Sequence, residues 1–137
     1  TGTGGHCIPV YPWFLLKEME KHNKKNYTKL LRTSREINEE MIEFWAEKII
    51  EEIQKINTQK SKVKVCIKGI TYRKGVKELY HSRNLALVKL LIEKGINIVV
   101  YDELLIKDEI QKLGLKWSLP KDADIVFDTF NLNLSIT

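Results

Sequence analysis

Val63-Lys64-Val65-Cys66-Ile67-Lys68-Gly69 is the stretch on which the fold turns. Its β-branched residues alternate at a period of two and end on a glycine, the pattern of a strand running into a turn. Beyond it, Ser82 is suited to cap a helix, and Leu85-Ala86-Leu87-Val88-Lys89-Leu90-Leu91-Ile92 reads as that helix until Gly95 stops it. Ile96-Asn97-Ile98-Val99-Val100-Tyr101 is a second strand with Asp102 at its end. Strand, helix and strand within about 40 residues make a βαβ unit, whose crossover is right-handed in nearly every case. Residues 105–113 add a short helix, and Asp124-Ile125-Val126-Phe127 a third strand. The pattern predicts an α/β fold in which a helical arm precedes a partial, parallel-sheet, Rossmann-like domain.

The arm lies upstream. Pro12 is placed to open a short amphipathic helix through Trp13-Phe14-Leu15-Leu16 to Lys21. From residue 28 to about 56, Leu31, Ile37, Met41, Trp45, Ile49, Ile53 and Ile56 recur every three or four residues, and Ile42, Ala46 and Ile50 widen the stripe. That is a long helix with a core-facing seam, bent near Thr33-Ser34, where a hydroxyl could cap a second segment. Residues 57–62 form a polar linker, so the expected division is 1–58 for the loop and helices and 59–137 for the Rossmann-like part.

Composition narrows the function classes. The 137 residues are 43% hydrophobic and 30% charged, as in a globular protein, and no apolar run approaches the roughly 18 residues of a membrane span. The opening residues carry no basic, apolar secretory signal, which makes the cytoplasm the expected compartment. The net charge of +5 comes from lysines interleaved with glutamates, and no aromatic platform accompanies them, so neither nucleic acid nor a membrane is an expected partner. Two widely separated cysteines, Cys7 and Cys66, make no disulfide framework or zinc spacing, and metal is not expected.

The candidate chemistry begins at Gly4-Gly5-His6-Cys7-Ile8-Pro9. Adjacent glycines admit backbone conformations closed to other residues and let a ligand approach the main chain. Pro9 and Pro12 stiffen the loop that carries the thiol. A cysteine there suits a nucleophile, whose reactive thiolate a nearby imidazolium or helix N-terminus favours; the alternative is a buried cysteine in a turn.

Gly4-Gly5-His6-Cys7-Ile8-Pro9-Val10 with Pro12-Trp13-Phe14-Leu15 resembles the nucleophile loop of the UDP-glucose/GDP-mannose dehydrogenase family, and its GGHCIP form resembles the UDP-N-acetyl-D-mannosamine dehydrogenase branch. Ser34-Arg35-Glu36-Ile37-Asn38 is similar to that family's ReiN helix. Residues 63–73 and Val99-Val100-Tyr101-Asp102 look like the start of its C-terminal UDP-binding domain. The resemblance implies an NAD-dependent oxidoreductase of polysaccharide biosynthesis that turns a sugar 6-alcohol into a carboxylate through a thiohemiacetal on Cys7. It implies that Gly4 and Gly5 shape the sugar pocket, that Tyr72 and Arg73 contact the UDP-sugar, and that His6 is a positional neighbour. Gly69, Tyr72, Arg73 and Lys74 in one turn match what a uridine diphosphate would use: close backbone approach, stacking and cations.

The departures are specific. The family's Asp four residues after the nucleophile is replaced by Tyr11, and a phenol, with an ordinary pKa near 10, is a poor base at neutral pH. The DDxRxSP run becomes Lys77-Glu78-Leu79-Tyr80-His81-Ser82-Arg83, where Glu78 keeps a carboxylate and Arg83 could supply the displaced guanidinium. Lys68 is unusual in a strand that should be central and buried. The NAD fingerprint GxGxxG is missing after the first strand, so NAD is expected on a domain outside this chain, which opens on Thr1 and reads as a fragment. The expectation is the C-terminal part of a UDP-sugar dehydrogenase, inactive alone and a homo-oligomer when whole. A UDP-glucose dehydrogenase, a non-catalytic UDP-binding or assembly module, and a gene remnant are the alternatives.

Overall fold

The computed structural model describes residues 1–56 and 62–137. All of the expected linker except Lys62, together with the expected boundary at 58/59, lies outside the described residues. The elements are α1 (Tyr11–Lys21), α2 (Lys29–Ile56), β1 (Lys64–Lys68), α3 (Arg83–Glu93), β2 (Asn97–Tyr101), α4 (Lys107–Lys112), β3 (Ile125–Asp128) and β4 (Asn133–Ile136). Short 3₁₀ turns at Lys25–Thr28 and Pro120–Asp122 precede α2 and β3.

The sheet order is β2-β1-β3-β4, with β1 parallel to both β2 and β3. This places β1 at the centre of the three parallel strands, with the βα turn after it as the natural ligand position of an open α/β sheet. β4 pairs antiparallel with β3 and was not anticipated, because Asn133-Leu134-Ser135-Ile136 has no strong strand pattern. Asp128 makes the hairpin by accepting from the N–H groups of Phe130 and Asn131 at 3.1 Å each, a side-chain turn that sequence periodicity does not reveal.

One face of the sheet carries the main core. Val65, Ile67, Val100, Ile125 and Phe127 pack against Ala46, Ile49 and Ile53 of α2 and Leu87, Val88 and Leu91 of α3. Trp45 stacks on Phe127 with ring centroids 5.0 Å apart. The opposite face buries a smaller cluster of Cys66, Val99 and Ala123. The apolar stripe of α2 is only partly the expected seam, since Ile37 is 53% exposed and Ile56 42% exposed. At 1.5 Å per residue α2 is about 42 Å long, against about 16 Å for the helix α3 it packs on, so its N-terminal half outruns the sheet layer. No second, separately capped segment starts at Thr33-Ser34. α2 runs unbroken through Thr33 and Ser34, and Thr28 closes the preceding turn by donating its hydroxyl to the Lys25 carbonyl at 2.9 Å.

Ser82 caps α3 as predicted: its Oγ accepts from Leu85 N–H at 3.2 Å. The same hydroxyl donates to the Ile70 carbonyl at 2.6 Å, so one side chain starts the helix and ties down the turn after β1. Ser82→Ala is expected to lower stability by about 1–2 kcal/mol, read as a fall in the denaturant midpoint at unchanged m-value.

Candidate functional site

The turn after β1 is held from below by a buried carboxylate. Asp102, at the end of β2, accepts from Ile70 N–H at 2.8 Å and Thr71 N–H at 3.2 Å with one oxygen, and from Leu104 N–H at 2.9 Å with the other. Asn84 of α3 donates to the Thr71 carbonyl at 2.8 Å, and Tyr72 N–H bonds the Glu78 carbonyl at 3.0 Å. With every anchor below it satisfied, the turn presents Tyr72 and Arg73 outward. Arg73 is exposed, and its guanidinium carbon lies 5.9 Å from the Tyr72 ring centroid.

The N-terminal loop seats on this turn through its two glycines. A Cβ at Gly4 would lie 2.4 Å from the His81 carbonyl oxygen, and one at Gly5 would lie 2.9 Å from the Tyr72 ring. Gly5 also has φ of +98°, so its identity is required by conformation as well as by space. His6 lies face to face on Tyr80, with centroids 4.5 Å apart and planes 10° apart, and its Nε2 is 3.7 Å from a Glu78 oxygen. The loop is also tied to α2: Thr3 N–H donates to Asn38 Oδ1 at 2.6 Å, and Asn38 Nδ2 donates to the Thr3 carbonyl at 3.3 Å.

Cys7 is exposed, which removes the alternative of a buried structural thiol. Its carbonyl accepts from Val10 N–H at 3.1 Å and Tyr11 N–H at 2.9 Å, so the thiol stands at the entry to α1. With Ile8, Tyr11, Pro12, Leu15 and Leu31 it lines an open, mostly apolar recess. Tyr11 is exposed there beside Phe14, the two ring centroids 6.3 Å apart.

The structure thus brings Gly4, Gly5 and His6 onto the turn that carries Tyr72 and Arg73, and Cys7 follows His6 toward α1. Arg83 pairs with the Glu39 carboxylate and donates to the Asn38 and Glu39 carbonyls at 2.8 Å each, fastening α3 to α2, and it lines a cleft with Pro9 and Trp13 behind the loop. Gly69 was expected to admit a ligand to the backbone, and its φ of +90° fits a turn glycine. The close approach, however, is made by the chain itself, since a Cβ there would lie 2.5 Å from the Phe130 ring and 2.9 Å from Thr129 Oγ1. A dinucleotide does not fit this turn, which has no glycine fingerprint and whose glycine at the strand end is covered.

Lys68, unexpected in the central strand, is accommodated by its place at the strand end. Its ammonium donates to Asp128 at 3.0 Å and lies 3.7 Å from Glu103. The bond to Asp128 raises the Lys68 pKa against the opposing effect of burial. Burial acts to raise that of Asp128, but the bonds from Lys68 and Asn131 outweigh it and hold the carboxyl below its usual range. Asp102, Asn84 and Tyr80 carry more of the site than the sequence indicated. An acid at a strand end was visible, but its three N–H partners were not.

No protein-family model matches the chain. It is 35% identical over 125 residues to the UDP-N-acetyl-D-mannosamine dehydrogenase of Methanocaldococcus jannaschii, covering 91% of this chain and 26% of that protein. Among solved structures, the UDP-D-ManNAc dehydrogenase from Pyrococcus horikoshii aligns with a TM-score of 0.65 at 28% identity, over 80% of this chain and 26% of that one. The GDP-mannose dehydrogenase of Pseudomonas aeruginosa aligns with a TM-score of 0.71 over 91% of this chain and 30% of that one. At 17% identity it shows the shared fold alone. The chain spans about a quarter of the length of the curated relatives it matches.

Gly5→Ala is expected to push the N-terminal loop off Tyr72, with loss of Tyr72 fluorescence or NMR contacts to residues 4–7 while the sheet amides keep their positions. The Asp128 carboxyl, depressed on folding, contributes stability above the ordinary carboxylate range near pH 4, and that contribution is lost as pH falls through its lower folded value. Asp128→Asn should therefore narrow the difference in unfolding free energy between about pH 7 and pH 3, measured by urea denaturation.

Proposed function

Because the chain matches a C-terminal portion of the UDP-glucose/GDP-mannose dehydrogenase family, we propose that it is the C-terminal part of an NAD-dependent enzyme that oxidises the 6-alcohol of UDP-N-acetylmannosamine to the uronate. In this reading residues 1–58 are the nucleophile loop and central helices, and 59–137 are part of the UDP-binding domain. NAD, the hydride acceptor, is held by residues outside this chain, and the assembled enzyme is a cytoplasmic homo-oligomer of polysaccharide biosynthesis. The isolated chain is inactive.

The observation that carries the proposal is the seating of Gly5 on the Tyr72 ring. It joins a loop bearing an exposed thiol to a turn bearing an aromatic ring and an exposed guanidinium. One nucleotide sugar can span the two, its base on Tyr72, its diphosphate on Arg73 and its C6 toward Cys7. When C6 is an aldehyde, the Cys7 thiolate adds to the carbonyl carbon, the C=O π pair moves to oxygen, and that oxygen takes a proton to give the thiohemiacetal. The side-chain directions of Gly4 and Gly5 are taken by the His81 carbonyl and the Tyr72 ring, so in this reading these two residues shape the sugar pocket through main chain alone.

The non-catalytic UDP-binding module is the second reading, favoured by Tyr11. No carboxylate lines the recess at Cys7 among the described residues, and Tyr11 stands in the place where the family has an acid. Isothermal titration of this chain with UDP, beside Arg73→Ala, tests what both readings share. UDP binding is expected, weakened about tenfold or more in the variant as a charge-assisted bond to phosphate is lost. Absence of UDP binding to the unmodified chain, or equal binding to both proteins, would sink the assignment of this turn.

A further inference from the structure

Three consecutive residues, Gly4, Gly5 and His6, lie on the turn at residues 70–82, and the third adjoins Cys7. The two glycines explain why the loop can come close; they do not hold it there. Before them the loop is tied by Thr3 to Asn38; on the Cys7 side, holding falls to His6, the first side chain after them. Its ring stacks on Tyr80, and Tyr80 meets His81 edge-on with centroids 4.3 Å apart. The Glu78 carboxylate, 3.7 Å from His6 Nε2, cannot swing away, because its other oxygen accepts from the N–H groups of Leu79 and Tyr80 at 3.0 Å each. Those N–H groups, the Tyr80 one foremost, and His6 hold the Glu78 carboxyl below its usual range. On the far side of the thiol, the Cys7 carbonyl is taken by Val10 and Tyr11 N–H.

We propose that Tyr80 and Glu78 are positioning residues that latch the His6 ring and so fix the backbone that carries the Cys7 thiol. The sulfur stays open to solvent while the chain on both sides of it is tied. Tyr80 stands where the family's DDxRxSP run has its arginine, so this latch belongs to this chain's own sequence. The role of the latch rests on Cys7 being the nucleophile, but its existence does not.

The test therefore needs no substrate. In the full chain, hydrogen exchange of the Val10 and Tyr11 amides reports how firmly the Cys7 turn is held, and alkylation of Cys7 by iodoacetamide, mapped by mass spectrometry, reports the thiol. Cys66 serves as an internal control, since it is buried and burial pushes its thiol up to about 11. Tyr80→Ala is expected to speed exchange at Val10 and Tyr11 by about two- to tenfold, the range of one stacked pair, and to shift the Cys7 alkylation rate with it. Ile67 and Val99 amides in the sheet should be unchanged. Tyr80→Phe keeps the ring and should restore both readouts. Glu78→Gln keeps an oxygen for the Leu79 and Tyr80 amides while removing the charge, and should loosen the turn in the same direction by a smaller factor. Wild-type exchange and alkylation in Tyr80→Ala would overturn the latch, and Tyr80→Phe behaving like Tyr80→Ala would overturn its stacking basis. An unchanged Glu78→Gln would remove the carboxylate from it. Failure of UDP to bind would leave these outcomes as they stand.

Discussion

The arrangement of the site depends on one buried carboxylate at the end of the second strand. Asp102 is 4% exposed, and its cost of burial is offset because it accepts three backbone N–H bonds from the two loops that leave β1 and β2. Without it, Ile70 and Thr71 would present unpaired N–H groups in a buried turn. With it, residues 70–72 have a single path, and Ser82 and Asn84 at the start of α3 hold the carbonyls of that same path. Tyr72 faces outward because each group beneath it is already bonded.

A fixed Tyr72 ring is what the N-terminal loop then uses as a floor. Gly4 and Gly5 are needed because two surfaces approach more closely than a Cβ allows, and His6 marks the point where side-chain contact resumes. Cys7 follows immediately, exposed, at the entry to a helix. The order of residues along this loop is therefore an order of packing distances, from main chain on carbonyl, to main chain on ring, to ring on ring, to open thiol.

At the carboxyl ends of the strands, where an open α/β sheet leaves a crevice for a ligand, the chain narrows that crevice with its own side chains and leaves a small cavity lined by Lys68, Gly69, Lys74, Glu103 and Asp128. Phe130 and Thr129 cover Gly69, and the ammonium of Lys68 bridges toward Asp128 and Glu103 across neighbouring strands. Lys68 and Asp128 suit each other because each ends its strand where a side chain can reach partial solvent. The half-buried ion pair keeps both groups charged.

The βαβ unit, the capped α3, the parallel pairing of three strands and the thiol loop were all legible in the sequence. They rest on local rules: period-two alternation, a hydroxyl before an apolar helical run, glycine where a turn needs positive φ. The motifs around Cys7 and Tyr72 were legible by resemblance, each within a few residues. What tertiary structure decided was everything that depends on distance between segments far apart in the chain. How much of the α2 stripe is buried was set by the shorter helix it meets, and β4 by a turn that Asp128 folds. Arg83 went to α2 because Glu39 and two carbonyls lay within reach there. The meeting of His6 with Tyr80 across 74 residues of sequence could not be read from either neighbourhood alone, since stacking is fixed by where two backbones pass and not by the residues beside each ring.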